Sequence, residues 1–456
     1  MATPCITQLT LDGEEFSKPV VARFDTPRSS SDGGAVLLKA VDGRLGLSAR
    51  LAACLDDPRE PGTVVHETID LIRQRVFGLC CGYADCNDAA RLAHDPIHKL
   101  VLGRDPVDGP GLASQPTLSR FENAVGGREL LAMGHVLADT VIAIHRQRLQ
   151  GHARRITIDL DPTDDPTHGQ QEFTFFNGHY DTWCYLPLVA TVTFNDEPAQ
   201  YAVAAMLRPG NAPASRGARA LLWRLTQKLR AAFPTARLRV RLDGGFATPK
   251  LFAFLERHGL EYVVAMASNS RLEKRARRLM GKARMLSRAT GQTAHLYGET
   301  RYAATSWKRK RRVIIKAEVV RHPGRDPKNN PRFVVTNLPH PPERVYAIYC
   351  QRGDVENRLK ELPHGLEMDR TSCSRFWANQ LRVLLTLAAY VLLQELRRRA
   401  AGTSCAGAQV STLRDRLIKL AARVERSVRR IVLHLPLYFP WLSDWRHIAQ
   451  AVGARP

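Results

Sequence analysis

The order of the predicted elements between residues 154 and 267 constrains the fold of this chain more than any other feature. Three strand-like segments come first, and helices then alternate with strands, which gives the order β-β-β-α-β-α-β. The segments are the strands Ile156–Asp161, Trp183–Phe194, Ala199–Leu207, Arg237–Asp243 and Glu261–Ala267 and the helices Pro213–Phe233 and Thr248–His258. Because consecutive strands pair as hairpins and alternating elements build parallel pairs, we predict a mixed sheet with helices on its faces.

Composition narrows the choice of partner and compartment. The 67 Lys and Arg residues exceed the 44 Asp and Glu residues by 23, which indicates a polyanionic partner. No uninterrupted apolar run of transmembrane length is found, and Met1–Thr10 lacks a signal-peptide pattern, so we expect no membrane partner. Nine scattered cysteines fit reduced thiols in the cytoplasm. Cys80, Cys81 and Cys86 have no second pair at zinc-site spacing and are predicted to be buried small side chains.

Four regions follow from the change of pattern along the chain. Residues 1–150 are predicted to form a helical domain. Its role is either to bind DNA ends or to dimerise, and the sequence does not decide between these because no recognition helix can be singled out. The element order is that of a ribonuclease H-like core, which we predict over residues 151–267 and 343–400. Residues 268–342 are predicted to form a basic, β-rich insertion, and residues 401–456 a basic helical region. The predicted class is therefore α/β, in an α+β multidomain arrangement.

Two of the predicted strands end in aspartates. Asp159 and Asp161 alternate along the first strand and share one face of the sheet, with Asp161 nearer the strand end. Asp243 ends the fourth strand directly before two glycines, which let a phosphate approach the backbone closely. Ligands of open α/β sheets gather beyond such strand ends.

A later segment supplies a third carboxylate. Tyr349, Arg352, Glu356 and Lys360 recur at i, i+3, i+7 and i+11, which places them on one stripe of a predicted helix, Glu343–Leu362. Together with the two strand-end aspartates, Glu356 makes a set of three carboxylates that can hold two divalent cations and cut phosphodiesters. Mg²⁺ suits such a site because it takes few protein carboxylates and keeps positions for water and phosphate.

Each of these features also has a simpler explanation. Asp164 and Asp165 would be loop or cap residues, and Asp159 would lie behind the metal site instead of in it. Arg352 and Glu356 would be an ordinary i, i+4 ion pair on a solvated helix. From the residues alone, both interpretations stay open.

Three strings resemble the active-site motifs of bacterial insertion-sequence DDE transposases: ITIDLDPTDDPTHGQQ, LRVRLDGGF and YCQRGDVENRLKE. The resemblance is to the branch with an Asp-Asp-Glu triad, a β-rich insertion before the Glu, and a Tyr-x2-Arg-x3-Glu signature. It extends through nearly the whole chain and includes SQPTLSRFEN and DRTSCSRFWANQLR. Taken together these motifs are specific, whereas any one of them alone would be weak.

The resemblance assigns the triad to Asp161, Asp243 and Glu356, which would also be the metal ligands. Tyr349 and Arg352 fill the other places of the signature, and Asp159 is a supporting residue. The broader signature has a Lys seven residues beyond the Glu, where this chain has Pro363. Lys360 is the candidate to take its role.

The resemblance also implies an activity. Such a protein binds the terminal inverted repeats of its own insertion sequence, cleaves the ends with two Mg²⁺ ions (Mn²⁺ as a substitute) and joins the 3′-hydroxyl ends to target DNA. Its partner is double-stranded DNA, it forms a homodimer in the DNA complex, and it acts in the bacterial cytoplasm, on the nucleoid when bound. One alternative is a transposase-derived DNA-binding protein without catalytic activity. A plain ribonuclease H-like nuclease is disfavoured, because it would need neither the N-terminal domain nor the insertion.

Two basic segments are candidates for DNA contact. One is the run between residues 271 and 288, for which the alternative is a solvated helix face. The other places Trp307 beside five consecutive cations, and Trp307 is predicted to stack on a flipped base unless it is a core residue. The residues predicted to contact DNA are Arg271, Lys274, Arg275, Arg278, Trp307, Lys308, Arg309 and Lys310.

Overall fold

The computed structural model describes residues 8–11, 15–353 and 360–455. Its strands are β1 (Gln8–Leu11), β2 (Val20–Arg23), β3 (Ser29–Ser30), β4 (Arg155–Pro162), β5 (Asp165–Pro166), β6 (Phe175–Asn177), β7 (Thr182–Tyr185), β8 (Leu188–Phe194), β9 (Tyr201–Met206), β10 (Arg237–Leu242), β11 (Glu261–Met266), β12 (Ala294–Tyr302), β13 (Arg311–Val320), β14 (Lys328–Asn329), β15 (Arg332–Thr336), β16 (Ala422–Arg426) and β17 (Ile431–His434).

The α-helices of the same ranges are α1 (Ala35–Leu45), α2 (Leu47–Ala52), α3 (Thr68–Cys81), α4 (Asp88–Leu92), α5 (Pro96–Val101), α6 (Gln115–Ala124), α7 (Gly127–Arg148), α8 (Ala218–Ala232), α9 (Pro249–Arg257), α10 (Ser270–Thr290), α11 (Pro342–Cys350), α12 (Glu361–Leu366), α13 (Phe376–Arg399), α14 (Val410–Leu413) and α15 (Leu442–Ala451). Helix α11 ends at Cys350 and Gln351 caps it, so the predicted helix through Leu362 is interrupted.

A nine-stranded sheet forms the centre of the molecule. Its strand order is β12-β13-β15-β11-β10-β4-β8-β9, with β14 paired to β13. Strands β4, β10 and β11 are mutually parallel, and the other neighbours are antiparallel. The prediction of a mixed α/β sheet is confirmed. Strand β8 (LVATVTF) is buried along its whole length, as expected for a central strand covered on both faces.

The segment after β11 continues the main sheet. Strand β15 pairs with β11 and β13 pairs with β15, so β12, β13 and β15 extend the same sheet. The basic run between residues 271 and 288 lies on helix α10, whose buried side chains Leu272, Ala276 and Met280 recur at helical spacing. The prediction of a largely β segment omitted this helix. Its apolar stripe has the helical period of 3.6 residues and packs against β12 and β13.

Helix α13 is the central helix of the core. It packs against α3, α7 and β9, so it joins the N-terminal helices to the sheet. By length and composition α13 could cross a membrane, and 89% of that apolar window is buried inside the protein. The sequence showed no uninterrupted apolar run of transmembrane length here, because Thr386 and other polar residues interrupt it. Burial of this extent is typical of the core helix of a globular protein.

The C-terminal region is not entirely helical, and the prediction of a helical region was wrong for residues 422–434. Strands β16 and β17 pair with each other, and β16 also pairs with β3, in a three-stranded sheet. Ala422 and Val424 are buried whereas Arg423 and Glu425 are exposed. This alternation has the period of two residues that is typical of a strand with one covered face.

Candidate active site

The parallel pairing of β4 with β10 brings two aspartates to one edge of the sheet. Arg241 lies opposite Asp159 in the register. Asp243 follows Arg241 by two residues, and Asp161 follows Asp159 by two residues. The two aspartates therefore continue that register just beyond the end of β10. The structure thus brings together the two strand-end aspartates that were selected from the sequence.

Arg352 lies against both of these aspartates. Its Nη2 atom contacts Oδ1 of Asp161 and lies 3.8 Å from Oδ2 of Asp243. The side chains of Asp161 and Asp243 are 17% and 30% exposed, so solvent reaches the pair. The predicted third carboxylate, Glu356, lies outside the residues that the structure describes.

The backbone after β10 holds the Asp243 carboxylate in place. Oδ1 of Asp243 accepts a hydrogen bond of 2.8 Å from the amide N–H of Gly245. A Cβ atom at position 245 would lie 2.8 Å from Cβ of Ala214, which is closer than side chains approach each other. The second glycine is therefore required by the loop that packs over it.

Asp159 forms a buried, bidentate salt bridge with Arg241. Nε and Nη2 of Arg241 each donate to a different oxygen of Asp159, both at 2.8 Å. Nη1 of Arg241 also donates to the carbonyl of Ile348, 3.2 Å away in the last turn of α11. Burial raises the pKa of Asp159, and the charges of Arg241 and Arg352 oppose that rise. Because both Asp159 oxygens are engaged, this residue supports the site from behind.

Arg241 was not among the residues predicted for the site, although a signal for it was present in the sequence. Arg241 precedes Asp243 by two residues, just as Asp159 precedes Asp161. On adjacent parallel strands these matched spacings place an opposite-charge pair directly behind the two strand-end aspartates.

The other supporting residues lie on either side of the undescribed segment. Tyr349 is half-buried and its ring centroid lies 6.0 Å from that of Tyr346. Lys360 is exposed at the start of α12.

Asp165 is buried close to the site and is not a loop or cap residue. It lies in β5, which pairs with β7, and both of its carboxylate oxygens are 2.9 Å from the hydroxyl of Thr371. Burial raises the pKa of Asp165 to about 8, against the hydrogen bond from Thr371, and the neighbouring charges of Asp369 and Asp164 raise it further. Asp165 is therefore largely neutral at pH 7.

A second buried arginine supports the loop beside Asp243. Arg208 is 2% exposed and donates to the carbonyls of Leu186 (2.7 Å) and Ala214 (2.9 Å). Its Nη1 also reaches the carbonyls of Pro213 and Arg216. Since Ala214 packs on Gly245, Arg208 links the end of β9 to the Asp243 turn. No spacing in the sequence pointed to this role.

The predicted DNA-contacting cations lie on the surface. Arg271, Lys274, Arg275 and Arg278 are exposed on α10. Arg275 is also tied to the neighbouring strand, because its Nη1 donates to Oγ1 of Thr300 at 2.8 Å.

Only part of the second basic segment is available to a ligand. Lys308, Arg309 and Lys310 are exposed, and Arg309 contacts Glu256. Arg311 is buried and pairs with Glu256 at 2.9 Å, while Arg312 pairs with Glu299. Three of the five cations are therefore paired with a carboxylate, and of these only Arg311 is buried.

Trp307 does not lie where an unpaired base could reach it, which corrects the prediction that it stacks on DNA. Its side chain is 7% exposed, and its ring centroid lies 5.1 Å from that of Phe252 and 5.7 Å from that of Tyr302. The guanidinium of Arg311 lies 5.1 Å from the Trp307 ring. These contacts make Trp307 a core residue, since its aromatic surface is covered by the protein itself.

Comparison with known proteins identifies a family that this chain matches. A family model described as "Transposase DDE domain group 1" matches residues 13–454. A search of curated proteins gave no match. Among solved structures, the cryo-EM structure of a piggyBac transposase synaptic complex with hairpin DNA is similar over 86% of this chain and 80% of its own, with 11% identity and a TM-score of 0.42. The family match spans nearly all of the chain.

Proposed function

Because the chain belongs to the DDE transposase family, we propose that it is a metal-dependent transposase acting on its own insertion sequence. It binds the terminal inverted repeats as double-stranded DNA, cleaves at the element ends and transfers the 3′-hydroxyl ends into target DNA. In this proposal it forms a homodimer in the DNA complex and acts in the bacterial cytoplasm, on the nucleoid when bound. Its core, residues 151–267 and 343–400, is ribonuclease H-like, and residues 1–150 bind DNA ends or dimerise.

The observation that carries the proposal is the placement of Asp161 and Asp243 side by side, both partly exposed, at the ends of two adjacent parallel strands. Carboxylates held close together repel each other unless a cation offsets their charge. Two partly exposed carboxylates that offer only oxygen donors fit Mg²⁺. We therefore assign two Mg²⁺ ions, with Mn²⁺ as a substitute, to Asp161, Asp243 and Glu356. When bound, the ions would activate the attacking water or 3′-hydroxyl and stabilise the leaving oxygen.

The protein's own residues position the carboxylates and offset part of their negative charge. The Asp159–Arg241 salt bridge keeps the two aspartate-bearing strands in register and contacts the end of α11. Arg352 offsets the charge of the carboxylates, and its planar guanidinium also suits a phosphate group. Tyr349 and Lys360, on either side of Arg352 and Glu356 in sequence, are proposed to support this arrangement.

Binding of the DNA backbone is assigned to the basic surface. The exposed cations of α10 lie away from its buried apolar stripe, with the exposed apolar residues Met285 and Leu286 among the later ones. Lys308, Arg309 and Lys310 add to the positive charge of the same region. Such a surface neutralises phosphates without reading sequence.

One observation favours a second candidate function, a transposase-derived DNA-binding protein without catalysis. Arg352 already contacts Asp161 and lies near Asp243, so it competes with a metal for these carboxylates. A protein that kept this pairing permanently would bind DNA and not cut it.

The experiment that separates the two uses purified wild-type protein and the DNA that flanks its gene on both sides. The proposal expects cuts at the element ends that need Mg²⁺ or Mn²⁺, and binding that survives chelation of the metal. Binding without cutting at any divalent-metal concentration would support the second candidate. Absence of binding to the flanking DNA would contradict both.

A further inference from the structure

The two N-terminal strands, β1 and β2, form an antiparallel pair with one apolar face. In its register Leu9 lies opposite Ala22, and Leu11 lies opposite Val20. Residues directly opposite each other in such a pair point to the same face, and successive residues of a strand alternate between the two faces. These four apolar side chains therefore share one face. The other face carries Gln8, Thr10, Val21 and Arg23.

The apolar face of this strand pair is open to solvent. Leu9 and Leu11 are 55% and 54% exposed, and every described residue between 8 and 29 is exposed. A sheet with one apolar face ordinarily packs that face on a core and turns the polar face to water. A two-stranded sheet alone is only marginally stable in water. Within the described part of the chain, this pair therefore lacks the packing surface that its pattern requires.

The chain that follows the strand pair is fixed firmly to the body of the protein. Strand β3 pairs with β16, and the amide of Gly33 donates to the carbonyl of Leu420 at 2.7 Å. The buried Asp32 lies 2.8 Å from Nε2 of His98 and accepts from Nζ of Lys419 at 2.7 Å. The exposed residues 24–28 join this root to β2 and span up to about 17 Å when extended. An element joined to a fixed root by such a linker can be exchanged between two copies of a chain.

A second open apolar surface lies between α7, α8 and α13, which line a groove of about 280 Å³. Its floor includes the buried Leu225, and Leu131 and Trp377 in its wall are 45% and 43% exposed. Two cations of α8, Arg224 and Lys228, also line it. The groove thus offers an apolar floor with positive charge beside it, which suits an apolar segment that carries acidic residues.

Charge indicates that the strand pair and the groove fit each other. Residues 8–16 (QLTLDGEEF) contain Asp12, Glu14 and Glu15 and no Lys or Arg, in a chain with a net charge of +23. DNA repels such a segment, whereas the basic surface of a second copy attracts it. A second copy of this chain is therefore the occupant that the charges favour.

We propose that the free protein is a dimer joined by exchange of this strand pair, here called the N-terminal arm (β1 and β2). The apolar face of each arm packs in the α7–α8–α13 groove of the partner, with the acidic residues of the arm toward the cations of α8. Reciprocal exchange closes the assembly at two copies. This inference extends the homodimer of the proposed function to the protein without DNA and names the surfaces that join it.

The test measures dimerisation of the full chain without DNA, by sedimentation over a range of protein concentrations. Wild-type protein is expected to sediment at twice the chain mass. The arm variant Leu9→Ser/Leu11→Ser removes apolar surface from the arm and is expected to weaken the dimer at least about tenfold. Its melting temperature, measured at a concentration where both proteins are monomeric, should equal that of wild type because the arm is exposed on its own chain.

Mixing two variants tests whether the arm packs in the groove. The groove variant Leu131→Ser/Trp377→Ser should weaken the dimer as the arm variant does. The groove variant keeps intact arms and the arm variant keeps intact grooves, so a dimer of one copy of each retains one of the two contacts. The mixture should therefore dimerise more tightly than either variant alone. A groove variant that dimerises like wild type would show that arms pack on each other and would overturn the inference.

A matched control removes exposed apolar side chains elsewhere. Met285→Ser/Leu286→Ser acts on α10, where these residues are 71% and 42% exposed, and should leave the dimer unchanged. A monomeric wild-type protein at every concentration, an arm variant that dimerises like wild type, or an arm variant with a lowered melting temperature would each overturn the inference. Metal-dependent cleavage of DNA is scored separately. An arm-joined dimer that never cuts DNA would leave the inference standing and contradict the proposed function, and a monomer that cuts DNA would do the reverse.

Discussion

Asp159 and Arg241 form a buried salt bridge two residues behind Asp161 and Asp243, on the same two neighbouring strands. The pair cross-links β4 and β10 through their side chains, and Arg241 also binds the carbonyl of Ile348 at the end of α11. Three elements that carry candidate site residues are thus tied at one point. Both oxygens of Asp159 are engaged by Arg241, so neither member of the pair is placed to touch DNA or metal.

Breaking this salt bridge is expected to destabilise the protein. Asp159→Ala leaves the Arg241 guanidinium buried without its partner, and a loss of this kind costs about 3–5 kcal/mol of unfolding free energy. Asp159→Leu combined with Arg241→Met should recover much of the loss because no unpaired charge remains. Denaturant titration followed by circular dichroism measures both. Equal stability of Asp159→Ala and wild type would show that the pair does not hold the strands.

Substitution of the candidate ligands is expected to abolish cleavage and to spare binding. Asp161→Ala, Asp243→Ala and Glu356→Gln each remove a carboxylate from the proposed metal site, and none of them removes a cation that grips phosphate. A gel assay with Mg²⁺ or Mn²⁺ measures cleavage, and anisotropy measures binding. Asp164→Ala serves as the control, since it changes a neighbouring carboxylate outside the proposed set. Full cleavage by any of the three ligand variants would refute its assignment.

Binding to DNA is expected to depend steeply on salt because of α10. Replacing Arg271, Lys274, Arg277 and Arg278 by Gln should lower the slope of log affinity against log salt, by about 0.9 for each phosphate that the protein no longer neutralises. As a control, Arg219→Gln/Arg224→Gln removes exposed cations from α8, outside the proposed DNA-binding surface, and should leave the slope nearly unchanged. If the slope of the α10 variant equals that of wild type, the charges of α10 serve solubility.

Trp307→Ala is expected to act on stability. Its ring fills space between Phe252 and Tyr302, and deleting a buried tryptophan typically costs about 3–5 kcal/mol. Cleavage of the two DNA strands at the element end should therefore fall together, in proportion to the unfolded fraction of the protein. Trp307→Phe, which keeps most of the apolar surface, should lose less in a thermal melt. A fully stable Trp307→Ala protein that fails only in second-strand processing would restore the base-stacking hypothesis.

Asp165 is expected to make the protein less stable as pH rises. Its pKa is about 8 in the folded protein, against an ordinary value of 3.8, so the unfolded chain releases this proton first. The contribution of Asp165 to the free energy of unfolding is complete below its ordinary pKa of 3.8 and is lost as pH rises through about 8. Between these values the free energy of unfolding falls by about 1.4 kcal/mol per pH unit. Asp165→Asn, which can still accept from Thr371, should flatten this decline in unfolding free energy measured across that range. An identical pH dependence in both proteins would contradict the assignment.

Local patterns in the sequence determined much of the fold and part of the site. The alternation of apolar residues predicted the central strands and marked Asp161 and Asp243 as strand-end residues, because a two-residue period is set by neighbouring residues. The same local logic failed for residues 422–434, where Ala422 and Val424 were taken for part of a helix and the chain forms β16 and β17. Even there, the period of two residues was present in the sequence.

Tertiary structure decided what local patterns do not encode. Whether Trp307 faces DNA or the core depends on Phe252 and Tyr302, which pack against it from other elements. The partner of Asp159 is a residue 82 positions away, and it can be chosen only once β4 lies beside β10. Burial and pairing are properties of segments brought together from distant parts of the chain, so their energies appear only when the whole core has formed.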